Sequence, residues 1–241
     1  MDRKPGHLPK DVRQAVDSLV WVKIVGIGST AVGKTCLIKH FCESKEGKTR
    51  AREAAIATES QDDQFNTGYQ PTVGVDYGFK IHEVEGIDLR VHLWDLSGST
   101  EYMDVRNELY GGTDAIFLAY DVTNVATFET LDSWMREVKK YSSGTPEIVI
   151  VANKTDLKQK RSVSAAEGRK WASQYKMRYY ETSAATGEGV VQLFGDLLQG
   201  VYNRRGGGKP NAAWSKKWDA QALSELCNPL PDKDRGKSAR V

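Results

Sequence analysis

The chain has 241 residues, of which 39% are hydrophobic and 27% charged, and its formal net charge is +2. This composition suffices for one full-sized core with polar extensions, and it excludes a nucleic-acid or acidic-lipid partner held by bulk charge alone. Three cysteines, Cys36, Cys42 and Cys227, match neither a disulfide framework nor a metal-ligand spacing, so we expect free thiols in the cytosol or the nucleus. No apolar run in the sequence reaches the length of a transmembrane helix, and we expect a soluble protein.

The first predicted elements are a strand, a loop and a helix, followed by a hairpin. Leu19 to Val25 is a short apolar run that ends in glycines, and Gly33 to Cys42 is predicted to be helical. Tyr77 to Val84 and Leu89 to Leu93 alternate apolar and polar residues around Glu85-Gly86. This alternation predicts an antiparallel hairpin with one buried face.

The second half of the chain alternates strands and helices. Ala115 to Tyr120 and Ile148 to Ala152 are nearly continuous apolar runs, as expected for central parallel strands. Between them, Ala126 to Tyr141 has apolar residues at helical spacing, and Ser164 with Glu167 predicts a capping box that opens a helix ending at Tyr175. After the strand Arg178 to Glu181, a last amphipathic helix has its apolar residues at Val190, Leu193, Phe194, Leu197, Leu198 and Val201.

These elements predict an open, mostly parallel sheet with helices on both sides, whose ligand lies at the carboxyl ends of the strands. We expect one nucleotide-binding domain over residues 19–203, preceded by a polar extension at 1–18. An insertion at 45–63 and a C-terminal extension at 204–241 are predicted to lie outside the core.

A phosphate-binding loop is predicted between the first strand and helix. The pattern G-x-x-x-x-G-K-[ST] is matched by Gly28, Ser29, Thr30, Ala31, Val32, Gly33, Lys34 and Thr35. In such a loop backbone N–H groups surround the phosphates, Lys34 neutralises them, and the Thr35 hydroxyl binds Mg²⁺. Cys36 follows directly and is included among the predicted nucleotide contacts. The alternative is an ordinary turn before a helix, which the strand-loop-helix context disfavours.

A second motif, Trp94-Asp95-Leu96-Ser97-Gly98, ends an apolar strand. Asp95 can hold Mg²⁺ through a water molecule, and the Gly98 N–H can face the terminal phosphate. The alternative is that Asp95 only caps the strand end. The order of the two motifs favours the metal-binding role.

Two further motifs predict the base. Asn153-Lys154-Thr155-Asp156 follows an apolar strand, and a carboxylate at Asp156 can accept from the guanine N1–H and 2-amino groups, which adenine lacks. Asn153 would contact the acceptor edge of the ring and tie neighbouring loops, and the Lys154 stem would pack on the base. Taken alone, such a tetrapeptide is usually interpreted as a turn. The base site is also supported by Thr182-Ser183-Ala184, where the Ala184 N–H can contact the guanine oxygen. We therefore predict a base site that also includes Ser183 and Ala185.

With these motifs in order, the chain resembles the Ras superfamily, and within it the Rab-like branch, from Leu19 to Val201. The resemblance implies a P-loop small GTPase fold, in which a six-stranded sheet has one antiparallel edge strand. It also implies GTP or GDP with Mg²⁺ as ligands, and a monomer that acts in signalling or intracellular transport. Pro71 to Tyr77 resembles the first switch of Rab proteins, so Thr72 is expected to close over the terminal phosphate and give Mg²⁺ a second hydroxyl.

Val105 to Tyr110 and Glu181 to Gly189 resemble the RJL family, which consists of Rab-like GTPases that often carry a C-terminal J domain. We expect no J domain here, because too few residues follow Gly208 and no His-Pro-Asp tripeptide occurs. We also expect no C-terminal prenylation, because the last residues, Lys237 to Val241, contain no cysteine.

The chain departs from the Rab pattern at several positions. The residue after Gly98 is Ser99, where Rab proteins usually have a water-orienting glutamine, and RJL proteins are similar in lacking this glutamine. Thr30 stands where many relatives have glycine, and it either crowds the terminal phosphate or is harmless without the glutamine. Ala185 replaces a usual lysine beside the base, and the insertion is either a partner-specific surface or a tolerated loop.

Tyr77, Trp94 and Leu109 match an apolar triad of Rab proteins, so they either dock an effector helix or pack under the switches. A short helix is predicted at 212–226, with Trp214, Trp218, Leu223 and Leu226 on one side, and we expect it to fold back on the domain. Two functional hypotheses remain open: a cycling GTPase with slow intrinsic hydrolysis, and a GTP-loaded scaffold that hardly turns over.

Overall fold

The computed structural model describes residues 20–44 and 70–207. All of them lie in the first of two units, which are divided between Lys209 and Pro210. The predicted extension at 1–18, the insertion at 45–63 and the C-terminal helix at 212–226 lie outside the described residues.

Strands and helices alternate along most of the described chain. The strands are β1 (Val20–Ile27), β2 (Val75–Val84), β3 (Ile87–Leu96), β4 (Ala115–Asp121), β5 (Glu147–Asn153) and β6 (Arg178–Glu181). The helices are α1 (Lys34–Glu43), α2 (Met103–Glu108), α3 (Val125–Glu129), α4 (Leu131–Tyr141), α5 (Ala165–Gln174) and α6 (Val190–Arg204). Short 3₁₀ turns cover Thr100–Tyr102 and Lys158–Lys160.

The strands form one six-stranded sheet in the order β2-β3-β1-β4-β5-β6. The β2 strand lies at an edge and pairs antiparallel with β3, whereas every other pair is parallel. The predicted fold class is therefore confirmed. Because the carboxyl ends of parallel strands meet at one edge of a sheet, the loops after β1, β3, β4, β5 and β6 converge there.

The β2–β3 hairpin turns through Glu85 and Gly86, whose φ angles are 51° and 77°. Two consecutive positive φ values characterise the two-residue turn whose twist matches that of paired strands, and glycine adopts such angles without steric cost. The hairpin was predicted with this turn, and the strands extend beyond the predicted limits on both sides. One face is buried, with Leu89, Val91 and Leu93 inaccessible to solvent.

The single helix predicted over Ala126 to Tyr141 is wrong in one respect, since the structure divides it at Thr130 into α3 and α4. The Thr130 hydroxyl donates to the Thr127 carbonyl at 2.8 Å, a side-chain bond that competes with regular helical pairing. With its proton used there, Thr130 accepts from Ser29 Oγ at 2.9 Å. The break therefore ties the α3–α4 junction to the phosphate-binding loop.

The last two helices follow the sequence closely. The Ser164 hydroxyl accepts from the Glu167 N–H at 3.2 Å, and the Glu167 carboxylate accepts from the Ser164 N–H at 2.8 Å, which completes the predicted capping box of α5. The predicted apolar residues of α6 are all buried against the sheet. Among the described helices, none combines the length and apolar character needed to cross a membrane.

Candidate nucleotide site

The phosphate-binding loop follows β1 and can take its shape only with glycine at two positions. Gly28 has a φ of 134°, and a Cβ added there would lie 2.1 Å from the Ala119 carbonyl oxygen. Gly33 has a φ of 94°, and its Cβ would lie 2.4 Å from Asn153 Nδ2. Both close approaches bring the loop against β4 and β5, so its backbone is positioned by the central strands.

Lys34 begins α1 and points back into the loop. Its Nζ donates to the carbonyls of Gly28 at 2.9 Å and Ser29 at 3.0 Å, and the residue is 6% exposed. Burial lowers the pKa of Lys34 to about 8, while the nearby Asp95 opposes the shift. The loop thus encloses an ammonium group whose charge an anionic ligand would stabilise.

Two hydroxyls and a carboxylate meet beside this loop. Thr35 Oγ1 donates to Asp95 Oδ2, Thr72 Oγ1 donates to the same oxygen at 3.2 Å, and the two hydroxyls are 3.1 Å apart. Asp95 is 1% exposed, and its other oxygen, Oδ1, has no hydrogen-bond partner among the described residues. Burial raises the pKa of Asp95. A buried carboxylate oxygen without a partner, beside two hydroxyls, fits a hard cation with oxygen ligands such as Mg²⁺.

The Gly98 backbone lies directly against the phosphate-binding loop. A Cβ at Gly98 would lie 2.4 Å from the Thr30 nitrogen and 2.6 Å from the Gly28 carbonyl oxygen. Ser99 follows as the N-cap of a 3₁₀ turn, and its hydroxyl accepts from the Glu101 N–H at 3.3 Å. The side chain at the usual glutamine position is therefore short and already engaged with its own turn.

Asn153 joins three loops at the other end of the site. Its Nδ2 donates to the Val32 carbonyl at 2.8 Å, and its Oδ1 accepts from Thr182 Oγ1 at 3.1 Å and from the Ala184 N–H at 3.2 Å. The residue is 1% exposed, so these bonds form in a region of low dielectric constant. The predicted role of Asn153 in tying neighbouring loops has this geometric basis.

The remaining residues of the base motifs lie around Asn153. Asp156 is partly exposed, and its Oδ1 accepts from Ser183 Oγ at 2.7 Å. Lys154 has a positive φ of 69° and forms an ion pair with Asp121 at 2.6 Å. Sequence reasoning missed Asp121, although its place at the end of β4, on the same sheet edge as the motifs, was a usable signal. Ala185 is exposed beside this cluster.

The predicted effector triad is only partly accessible. Tyr77 is 47% exposed, whereas Trp94 is 7% and Leu109 5% exposed. Of the two alternatives, packing under the switches holds for Trp94 and Leu109 in this conformation, whereas Tyr77 is exposed. Lys23 is the physical reason, because its Nζ lies 5.4 Å from the centre of the Trp94 ring and donates to the Leu109 carbonyl at 2.6 Å.

The sheet is mostly parallel and positions a glycine-rich phosphate-binding loop with a buried Lys34. The loops that Asn153 joins lie at the other end of the same site. These features define a P-loop nucleotide-binding protein. The Ras family model matches residues 47–203. The phosphate-binding loop lies ahead of that range and is recognised by its own motif and geometry.

Several curated relatives share one name, DnaJ homolog subfamily C member 27. The chain is 31% identical to that of Rattus norvegicus over 220 residues, which cover 88% of this chain and 74% of the rat protein. It is 32% identical to that of Homo sapiens over 217 residues, which cover 86% of this chain and 72% of the human protein. The chain belongs to the Ras family. It is a small GTP-binding protein, and these DnaJ-named relatives confirm the predicted Rab-like, RJL-type membership.

Proposed function

We propose that this protein is a magnesium-dependent guanine-nucleotide switch whose intrinsic GTP hydrolysis is slow. It acts by presenting its switch segments to partner proteins. The observation that carries the proposal is Ser99, whose short side chain caps the turn through Glu101 at the position where Rab proteins place a water-orienting glutamine.

Nucleotide binding is assigned to groups that converge at the carboxyl edge of the sheet. The loop N–H groups and Lys34 hold the phosphates, and Asp156 accepts from the guanine N1–H and 2-amino groups. Thr35, Thr72 and, through water, Asp95 would hold Mg²⁺, which supplies positive charge to the phosphate oxygens when bound. In each role the protein positions the reacting groups and supplies compensating charge. These two effects provide nearly all the catalysis in such sites.

Hydrolysis needs a group that orients the attacking water, and the Ser99 side chain cannot serve in this role. A serine hydroxyl lies two covalent bonds closer to the backbone than a glutamine amide, and here it already accepts from the Glu101 N–H. Thr30 is exposed and its backbone nitrogen lies beside Gly98, so a β-branched side chain stands next to the place of the terminal phosphate. Both features support slow turnover.

Single-turnover hydrolysis of bound GTP tests the proposal. We expect slow hydrolysis in the natural protein and an increase of at least about tenfold in Ser99→Gln, because a glutamine can orient water. Thr100→Gln is the matched control, since Thr100 is exposed one residue further on and its substitution should leave the rate unchanged. A natural rate equal to that of glutamine-bearing relatives, unaffected by Ser99→Gln, would contradict slow hydrolysis.

A GTP-loaded scaffold that hardly turns over is the second candidate, and the engaged Ser99 hydroxyl favours it as well. The nucleotide that remains bound after gentle isolation separates the two candidates. Bound GTP supports the scaffold, and bound GDP supports the cycling switch. Competition with ATP is expected to fail, because adenine lacks the donors that Asp156 would accept.

A further inference from the structure

Arg106 in α2 is a buried cation that neither the phosphate site nor the base site uses. It is 3% exposed, and its Nη1 donates to the Ser97 carbonyl at 2.8 Å and to the Ser99 carbonyl at 2.9 Å. These two carbonyls belong to the residues on either side of Gly98. One nitrogen of Arg106 therefore bonds to both residues that flank Gly98. The Gly98 N–H is the group that we expect to contact the terminal phosphate.

The guanidinium is itself held by α4. Its Nε donates to Glu137 Oε1 at 2.6 Å and its Nη2 to Oε2 at 3.0 Å, and its centre lies 4.5 Å from the centre of the Trp134 ring. Tyr110 also donates to Glu137 Oε1 at 2.8 Å. Burial, followed by the charge of Glu137, raises the pKa of Tyr110, so this hydroxyl keeps its proton as a donor.

Gly98 is thus fixed from two sides. The phosphate-binding loop lies against its Cα, where a Cβ would be 2.4 Å from the Thr30 nitrogen. Arg106 holds the two flanking carbonyls, and Glu137 in α4 holds Arg106. A planar fork of five donors suits this arrangement, whereas a lysine ammonium cannot reach two carbonyls and both carboxylate oxygens at once.

We propose that Arg106 is a positioning residue for recognition of the terminal phosphate. It acts through Gly98, whose N–H it preorganises toward the third phosphate of GTP. The proposal rests on the proposed nucleotide site, because it assigns the Gly98 N–H to that phosphate. Since GDP lacks the third phosphate, loss of Arg106 should weaken GTP binding and spare GDP binding.

The test compares the affinities of a non-hydrolysable GTP analogue and of GDP, both with Mg²⁺. In Arg106→Lys, the ratio of GTP-analogue affinity to GDP affinity should fall about tenfold, because charge is kept while the carbonyl contacts are lost. In Glu137→Gln, where Arg106 keeps its carbonyl bonds, the ratio should fall by only about threefold. Measuring both variants keeps the proposal testable if the lysine variant does not fold.

Arg205→Lys is the matched control. Arg205 donates to the Trp21 carbonyl at 2.9 Å and forms an ion pair with Asp114, so it combines the same kinds of contact at the opposite end of the sheet. Its substitution should lower thermal stability and leave the affinity ratio unchanged.

A fall of the ratio in Arg106→Lys but not in Arg205→Lys supports the proposal. An equal loss for both nucleotides in Arg106→Lys assigns Arg106 to stability alone and overturns it, while the proposed function stands. If Arg106→Lys does not fold, an unchanged ratio in Glu137→Gln overturns it. Failure of the natural protein to bind guanine nucleotide with Mg²⁺ overturns both.

Discussion

The two ends of the nucleotide site differ in how far the protein satisfies its own polar groups. At the base end, between β4 and β6, Asn153 donates to one loop and accepts twice from another, and all partners belong to the chain. At the switch end, beside β2 and β3, Asp95 Oδ1 is buried without a hydrogen-bond partner among the described residues. Tyr77, on the same hairpin side, is 47% exposed.

We infer from this contrast that the base end is part of the fold, and we propose that the switch end is arranged for a ligand. Buried polar groups that pair within the chain stabilise the protein whether or not nucleotide is present. A buried carboxylate oxygen that lacks a hydrogen-bond partner lowers stability until a cation compensates it. Substitutions at the two ends should therefore change the stability of the nucleotide-free protein in opposite directions.

The largest effect is expected at the base end. Asn153→Ala leaves the Val32 carbonyl, the Thr182 hydroxyl and the Ala184 N–H without their partner, and the free energy of unfolding should fall by about 3 kcal/mol. Denaturant unfolding of nucleotide-free protein measures this change. Asn203→Ala is the control, since the Asn203 side chain accepts from Gln199 on the exposed side of α6. Equal stability of the two variants would contradict the proposed difference between the base end and the switch end.

The opposite sign is expected at the switch end. Asp95→Asn removes a buried charge but keeps an oxygen that can accept from Thr35 and Thr72, so the free energy of unfolding of nucleotide-free protein should rise by about 1 kcal/mol. The same variant should lose the magnesium dependence of GTP binding. Asp132→Asn changes a carboxylate that accepts from Trp171 and Tyr175 at the surface, and it should alter neither quantity. A less stable Asp95→Asn variant would show that the carboxylate already stabilises the fold by itself.

Local sequence patterns predicted the central part of the fold because burial on both faces leaves a strong signal. Ala115 to Tyr120 and Ile148 to Ala152 are apolar runs, and both form strands in the middle of the sheet. The break at Thr130 was not predictable, since it depends on hydrogen bonds to Thr127 and, across the fold, to Ser29. The spacing of apolar residues reflects burial and helical periodicity only. Because a side-chain hydroxyl between two helices does not change that spacing, the break left no signal in the apolar pattern.

The sequence motifs named residues that the structure brings to one edge of the sheet, but they did not name the partners of those residues. Asp121 pairs with Lys154, and Arg106 pairs with Glu137 from another helix. No local motif links these partners, because they meet only after the sheet and its helices have formed. The burial of Trp94 was one of two alternatives that the sequence left open, and it depends on a buried Lys23 that covers the ring from β1.

The last predicted effect concerns the pH dependence of stability, and it also distinguishes the base end from the switch end. Burial, together with the charge of Arg90, lowers the pKa of His92 to about 4, and the ring stacks on Trp21 at 4.5 Å. His82, on the same hairpin, is likewise lowered to about 4, by burial and then by the charge of Lys80. No histidine occurs in the chain from β4 onward.

The unfolded chain takes up a proton at each of these histidines near pH 6.5, whereas the folded protein does so only near pH 4. Stability should therefore fall as pH decreases between these values. Replacing His92 by phenylalanine keeps the stacking and removes one titration, so the acid loss should shrink by about 1 kcal/mol after allowance for solvent screening. Hydrogen exchange at pH 4.5 locates the effect: β2 and β3 amides should exchange faster in the natural protein than in His92→Phe, while β4 and β5 amides remain protected in both. Loss of protection that begins in β4 and β5 would place the acid-sensitive part at the base end and refute the contrast.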